Sequence, residues 1–245
     1  MDNRRPGNSF LQALSPVSYH ALNEHLVPTD FVHGACIQHD ELPVDWVYFP
    51  VSGLLSLISA VETGESLETA MIGFDGAAGL VEACGSQISH VSCVVQMSGR
   101  GWRAPVGAVR SLMLSDAAFG LQAWRLGEFQ LLEARQAAIC QALHSVEQRL
   151  ARRLLESLDR SGGRGPLPLT QESLASLLGV QRTTVTAYAV QLQQAGVIAY
   201  RRGQVEILDR PALEAKACGC RSAVQRYRSM LGVADVARPK KAEGV

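Results

Sequence analysis

The run Gln181, Arg182, Thr183, Thr184, Val185, Thr186, Ala187 places one guanidinium and three hydroxyls within five consecutive positions, 182 to 186. A guanidinium can donate two parallel hydrogen bonds to the edge of a guanine, and hydroxyls can donate to phosphate oxygens. Arg201 and Arg202 follow in the stretch VIAYRRGQVEIL, residues 197 to 208. The chemistry these residues offer is recognition of a polyanion. Catalytic alternatives find little support. The chain has no Ser/His/Asp or Cys/His set and no phosphate loop bearing a lysine, and its histidines read as surface or packed residues. No enzymatic activity is expected. The cysteines are Cys36, Cys84, Cys93, Cys140, Cys218 and Cys220. Cys218 and Cys220 form a C-x-C rather than a C-x2-C, with no second Cys/His pair at zinc-ligand spacing. They read as reduced, buried thiols, and no metal is expected.

The elements that must position the arginines can be read from capping and periodicity. Thr170 can cap a helix whose apolar face is Leu174, Leu177 and Leu178, and Gly179 permits the tight turn that follows. A second helix starts near Gln181, buries Val185, Ala189 and Leu192, and ends at Gly196. That stripe directs Arg182, Thr183, Thr186 and Ala187 outward. Val197–Tyr200 and Gln204–Leu208 then read as two strands, with Arg201, Arg202 and Gly203 at the turn. A helical hairpin followed by an ordinary β-hairpin is the plain reading. A helix-turn-helix with a basic wing accounts in addition for where the arginines fall.

Upstream, residues 128 to 159 contain no Gly or Pro and are rich in helix formers. Leu132, Gln136, Ile139, Leu143, Val146 and Leu150 follow alternating seven-residue spacing, the seam of a helix that pairs with a second copy or packs on its own domain. SGGRGP, residues 161 to 166, ends that helix and marks a domain boundary. From about 30 to 104, short apolar runs alternate with Gly-rich turns, predicting a compact β-sandwich or barrel. Ser15 and Pro16 start a short helix over 15 to 26, and helix returns near 105. After the wing, Asp209 and Pro211 begin one more helix with the stripe Leu213, Ala217, Cys220, Val224, Tyr227 and Leu231. The tail from about 233 is expected to be disordered.

Net charge is zero, yet residues 30 to 147 carry five basic and thirteen acidic side chains, and residues 148 to 228 carry thirteen basic and six acidic. A basic half suits nucleic-acid binding, although a merely solvated basic surface gives the same tally. No segment reads as a signal peptide or a membrane span, so a cytoplasmic protein without a membrane partner is expected.

The order β-rich domain, long helix, winged helix-turn-helix resembles the Crp/Fnr family of bacterial transcription regulators over roughly residues 20 to 210. LTQESLASLLGVQRTTV and the AGVI-to-wing segment carry most of the likeness. WVYFPVSGLLSL is similar to the family's strand-Gly-strand signature and IGFDGAAGL to its ligand-loop start. The resemblance implies an α+β fold: an N-terminal β-roll, jelly-roll-like, over 15–127, a dimerisation helix over 128–160, a winged helix-turn-helix over 161–232 and a tail over 233–245. It also implies a homodimer on a near-palindromic operator in double-stranded DNA, with RNA polymerase as a further partner. Thr170, Gln181, Arg182, Thr183, Thr184, Thr186, Ala187, Arg201 and Arg202 would meet the DNA.

The same resemblance places a small-molecule site at Gly73, Asp75, Gly76, Gly79, Leu80 and His90, with an effector of unknown identity. Cyclic-nucleotide-binding members have Gly-Glu at the loop's end and an Arg about ten residues on. Here Leu80 follows Gly79 and the Arg place falls near His90, so cyclic AMP is not expected. With no cysteine before Cys36, an N-terminal iron–sulfur cluster is not expected either, and no cofactor is assigned. In the recognition helix, Arg182 matches the family's guanine-reading Arg, while Thr183 and Ala187 depart from its Arg-Glu-x-x-x-Arg pattern. A protein-interaction scaffold that uses the same fold without reading DNA is the alternative.

Overall fold

The computed structural model describes residues 5–163 and 165–233. Two short helices come first, α1 (Ser9–Ala13) and α2 (Pro16–Asn23). Ser15 caps α2 by accepting from the Ser18 backbone N–H at 3.0 Å, with Pro16 as the first helical residue. The strands follow: β1 (Val27–Phe31), β2 (Cys36–Gln38), β3 (Trp46–Pro50), β4 (Leu54–Ala60), β5 (Ser66–Ile72), then helix α3 (Leu80–Cys84), β6 (Ser92–Met97) and β7 (Gly99–Pro105). They form two antiparallel sheets, ordered β1-β7-β3 and β2-β6-β4-β5. Phe31 and Tyr48 from the first sheet meet Leu55, Ile72 and Val95 from the second, which makes the interior of the roll.

Helix α4 (Val106–Ser115) leads into α5 (Ala117–Leu143), 27 residues and roughly 40 Å long. Asp116 caps α5, accepting from the Ala118 and Phe119 N–H groups and from the Ser18 hydroxyl. Phe119, Ala123, Leu126 and Phe129 bury one face of α5 against Leu11, Leu22, Phe49 and Leu80.

The structure corrects the expected single helix over 128–159. The chain leaves α5 at His144, whose backbone is extended (φ −114°, ψ 146°), and starts again as α6 (Val146–Arg160). Ser145 accepts from the Gln148 N–H while the Gln148 side chain accepts from the Ser145 N–H, a complete capping box. This local pairing satisfies the orphan donors of a new helix, so the chain can break there without Gly or Pro. The two halves then serve different cores: Leu150, Leu154 and Leu155 of α6 pack among the side chains of the C-terminal domain.

That domain comprises α7 (Gln171–Leu178), α8 (Arg182–Gln194), the hairpin β8 (Ile198–Arg201) and β9 (Gln204–Ile207), α9 (Arg210–Lys216) and α10 (Cys220–Met230). A second correction falls here. The single helix expected after Asp209 is two helices, separated by extended Ala217 and by Cys218 and Gly219. α10 packs along α5 in the N-terminal half, where Val224 joins the core of the β-roll's helices. Val233, assigned to the tail, packs there as well, and the rest of the tail lies outside the described residues. Among the described residues no helix is long and apolar enough to cross a membrane.

Candidate nucleic-acid interface

Thr170 caps α7 by accepting from the Ser173 N–H at 3.0 Å. Leu174, Leu177 and Leu178 are buried, and Gly179 ends the helix in the left-handed conformation (φ 61°), where a side chain would be strained. The Leu178 carbonyl, left without a partner in its own helix, accepts from Arg149 and Gln141 of neighbouring helices. α8 follows directly, burying Val185, Ala189 and Leu192. Gln181, Arg182, Thr183 and Ala187 are exposed, as the stripe requires. The Arg182 side chain is 66% exposed and touches Glu172 only at 3.9 Å. Thr186 is partly covered, donating to the Gln171 side chain at 2.7 Å, and Thr184 is half-buried. Gln181 makes no side-chain cap bond to its helix.

The wing pairs Arg201 with Gln204, so the turn is the two residues Arg202 and Gly203. Both have positive φ (49° and 76°), the conformation whose twist matches antiparallel strands. Arg201 and Arg202 are exposed at its tip. Leu167 pairs with Val205 as a third rung, and the Tyr200 hydroxyl donates to the Leu169 carbonyl at 2.6 Å. A Cβ on Gly203 would stand 3.2 Å from the Thr170 methyl, which places the wing tip beside the start of α7. Arg182, Arg201 and Arg202 are therefore held in solvent by one small, continuous core.

In the loop expected to hold a small molecule, the Asp75 carboxylate is engaged by the protein itself. Asp75 is 3% exposed and pairs with Arg160 (Nε to Oδ2, 3.3 Å) and with Arg228 of α10. Burial pushes its carboxyl up, but the Arg228 and Arg160 guanidiniums outweigh this and hold it below the ordinary carboxylate range. Arg160 also binds Glu133 and the Met71 carbonyl, and Arg153 binds Glu68. Arg228 lies over the Phe129 ring at 4.4 Å. Gly73 lies against the Arg160 backbone, Gly76 borders Ile72, Gly79 caps α3, and Leu80 is buried in the core. His90 is exposed. The cavity that Asp75 lines, with Ser9, Phe10 and Leu126, measures about 10 Å³, against roughly 300 Å³ or more for typical small-molecule sites.

The seam is redrawn too. Gln136 is 9% exposed and donates to the Cys220 sulfur at 3.0 Å, so it faces its own C-terminal helix rather than a second copy. Leu150 lies inside the winged-helix core and Val146 lies beyond the break. Ile139 and Leu143 are exposed, and Leu132 is half-buried. The apolar residues α5 does present to solvent are Leu121, Trp124, Leu131, Ile139 and Leu143.

One constellation was missed. Cys140, His144, Cys218 and Cys220 bring their donor atoms within 4.8 Å of one another. Cys140 and His144, spaced C-x3-H at the end of α5, lie beside the C-x-C that the sequence left without a Cys/His neighbour. A period-four pair puts both side chains on one helix face, and that was the available signal. Its relation to the C-x-C, 78 residues away, needed the fold.

Residues 148–216 match the family model of the Crp-like helix-turn-helix domain. No curated protein matches the chain. Among solved structures, a transcriptional regulator of the Crp/Fnr family from Eubacterium rectale is similar with a TM-score of 0.67 and 19% identity, covering 86% of this chain and 96% of that one. FixK2 from Bradyrhizobium japonicum gives 0.64 and 15%, covering 79% and 98%. A Crp/Fnr-family regulator from Thermus thermophilus gives 0.63 and 23%, covering 78% and 98%. The fold is the one these Crp/Fnr-family structures share, a β-roll plus helix-turn-helix, and residues 148–216 carry the Crp-like helix-turn-helix domain. The matched domain is a Crp-like helix-turn-helix, and the solved structures that share the fold include transcriptional regulators of the Crp/Fnr family.

Proposed function

We propose that the protein acts as a homodimer on a near-palindromic operator, each subunit setting α8 into the major groove of one half-site. Arg182 reads a guanine, with Gln181, Thr183 and Ala187 around it. Thr170, Thr184 and Thr186 hold the helix start in register, and Arg201 and Arg202 take phosphates beside it. The observation that carries this reading is that the first turn of α8 and the wing tip keep three arginines in solvent on one rigid domain. The subunits join along the exposed face of α5, where Trp124 is 67% and Leu131 50% exposed beside Val81 of α3. Cyclic AMP is not the controlling ligand: the Gly73 to Leu80 loop spends its carboxylate on Arg160 and Arg228, and Leu80 stands where the ribose-binding Glu would be.

Binding to random genomic fragments across a salt series tests the proposal. Affinity falls steeply as salt rises and one recurrent two-fold sequence is enriched. Uniform recovery of fragments, or none, would instead make the domain a protein-interaction module.

A further inference from the structure

Four side chains that DNA recognition does not use converge where α5 gives way to α6. Cys140 lies in the last turn of α5 and His144 caps it. Cys218 lies in the link after α9, and Cys220 is the first residue of α10. The Cys140 and Cys218 sulfurs are 3.5 Å apart, and the Cys220 sulfur is 3.4 Å from His144 Nδ1. We propose that these residues bind one tetrahedral Zn²⁺ as a Cys3His site that fixes the joint between the β-roll and the winged helix.

The geometry matches a single ion. With Zn–S about 2.3 Å and Zn–N about 2.0–2.1 Å, the edges of the ligand tetrahedron are roughly 3.5–3.8 Å. The Cys140–Cys218 and Cys220–His144 separations already stand close to those values, and no two of the four donor atoms are more than 4.8 Å apart. An iron–sulfur cluster would spread four donors around a core several atoms wide. Three thiols and an imidazole also select against calcium and magnesium, which take oxygen ligands. A Cys140–Cys218 disulfide would account for two of the donors and leave Cys220 and His144 unexplained.

The surroundings fit a metal site better than ordinary packing. Cys140, Cys218 and Cys220 are buried against one another as their own cluster, apart from the aliphatic cores. Gln136 donates to the Cys220 sulfur, the kind of outer hydrogen bond that orients and steadies a thiolate ligand. Three thiolates around a divalent ion leave one negative charge. Arg152, ion-paired with Glu156 at 2.8 Å, lines the same cavity as Cys140. Each bound thiol gives up its proton on metal binding, so affinity falls as the solution is acidified.

The ion would tie the end of α5 to the start of α10 across 78 residues of chain, a long loop closed at one point. His144 is also the extended residue at which α5 stops. The same ligand set would therefore hold the break in place.

The test uses the full chain, purified reduced, and no DNA. Elemental analysis is expected to find one zinc per chain. Replacement by Co²⁺ is expected to give thiolate-to-cobalt charge-transfer bands in the near ultraviolet and strong ligand-field bands in the red. Cys218→Ser weakens zinc binding at least tenfold, and Gln136→Ala by roughly tenfold. His144→Cys keeps four donors, so it retains zinc and intensifies the charge-transfer bands even if other variants fold poorly. Cys84→Ser and Cys93→Ser leave metal content unchanged. A reduced chain that retains no zinc and gives only the weak spectrum of octahedral cobalt overturns the proposal. So does zinc bound as tightly by Cys218→Ser as by the parent, or a Cys140–Cys218 disulfide as the stable state under these conditions.

Discussion

Two sets of arginines in the C-terminal half do opposite work. Arg182, Arg201 and Arg202 stand in solvent around the winged helix, while Arg153, Arg160 and Arg228 are buried against acids of the N-terminal half. A charge tally counts them alike. The excess of acid before residue 147 and of base after it is in part an internal complement: Glu68, Asp75 and Glu133 receive arginines from α6 and α10. The difference lies in where each arginine falls relative to an apolar stripe. A guanidinium opposite the stripe reaches water or DNA. One beside it is carried into the interior and requires a partner there.

Removing a partner from the buried set gives the largest effect. Asp75→Ala removes the buried carboxylate that Arg160 and Arg228 share and is expected to cost about 3–5 kcal/mol of stability in chemical denaturation. The same group sets a pH dependence. Its folded-state pKa is depressed, so its contribution is complete above the unfolded value, roughly 3.9, and is lost as pH falls through the lower folded value. An Asp75→Asn chain loses this acid-dependent component, which denaturation at pH 3 against pH 6 will show. Trp124→Asp comes next. An exposed aromatic anchor on the proposed subunit face is expected to account for about 2 kcal/mol or more of association, and sedimentation reads the shift to monomer. Arg182→Ala then costs about 1–3 kcal/mol at one base position while leaving denaturation unchanged. Arg201→Ala gives the smallest effect: all sequences weaken alike and the salt slope drops by about one. The comparison fails if Asp75→Ala alters base preference or Arg182→Ala alters stability.

The winged helix was legible because each of its signals is local. Thr170, Gly179, Gly196 and the Arg202–Gly203 turn act within a few residues, and the structure uses each as its type implies. The break after α5 was written locally as well, in Ser145 and Gln148, but the helix formers on both sides of it outweighed a four-residue cap. The partners of Asp75 were not legible, because its resemblance to a ligand loop is local while Arg160 and Arg228 come from α6 and α10, the latter 153 residues away. The heptad spacing of the seam continues across the break in sequence but not in space, so its members separate. Leu143 ends up in solvent and Leu150 in another core.

The capping box at Ser145 also moves the natural cutting point of the chain. α6 contributes Leu150, Leu154 and Leu155 to the winged-helix interior, and the matched domain begins at 148, ahead of the Gly-rich stretch at 161–166. A transplant made at that stretch would sever the winged-helix unit from its own hydrophobic floor. One made between His144 and Ser145 would carry the floor along, together with a ready-made helix start.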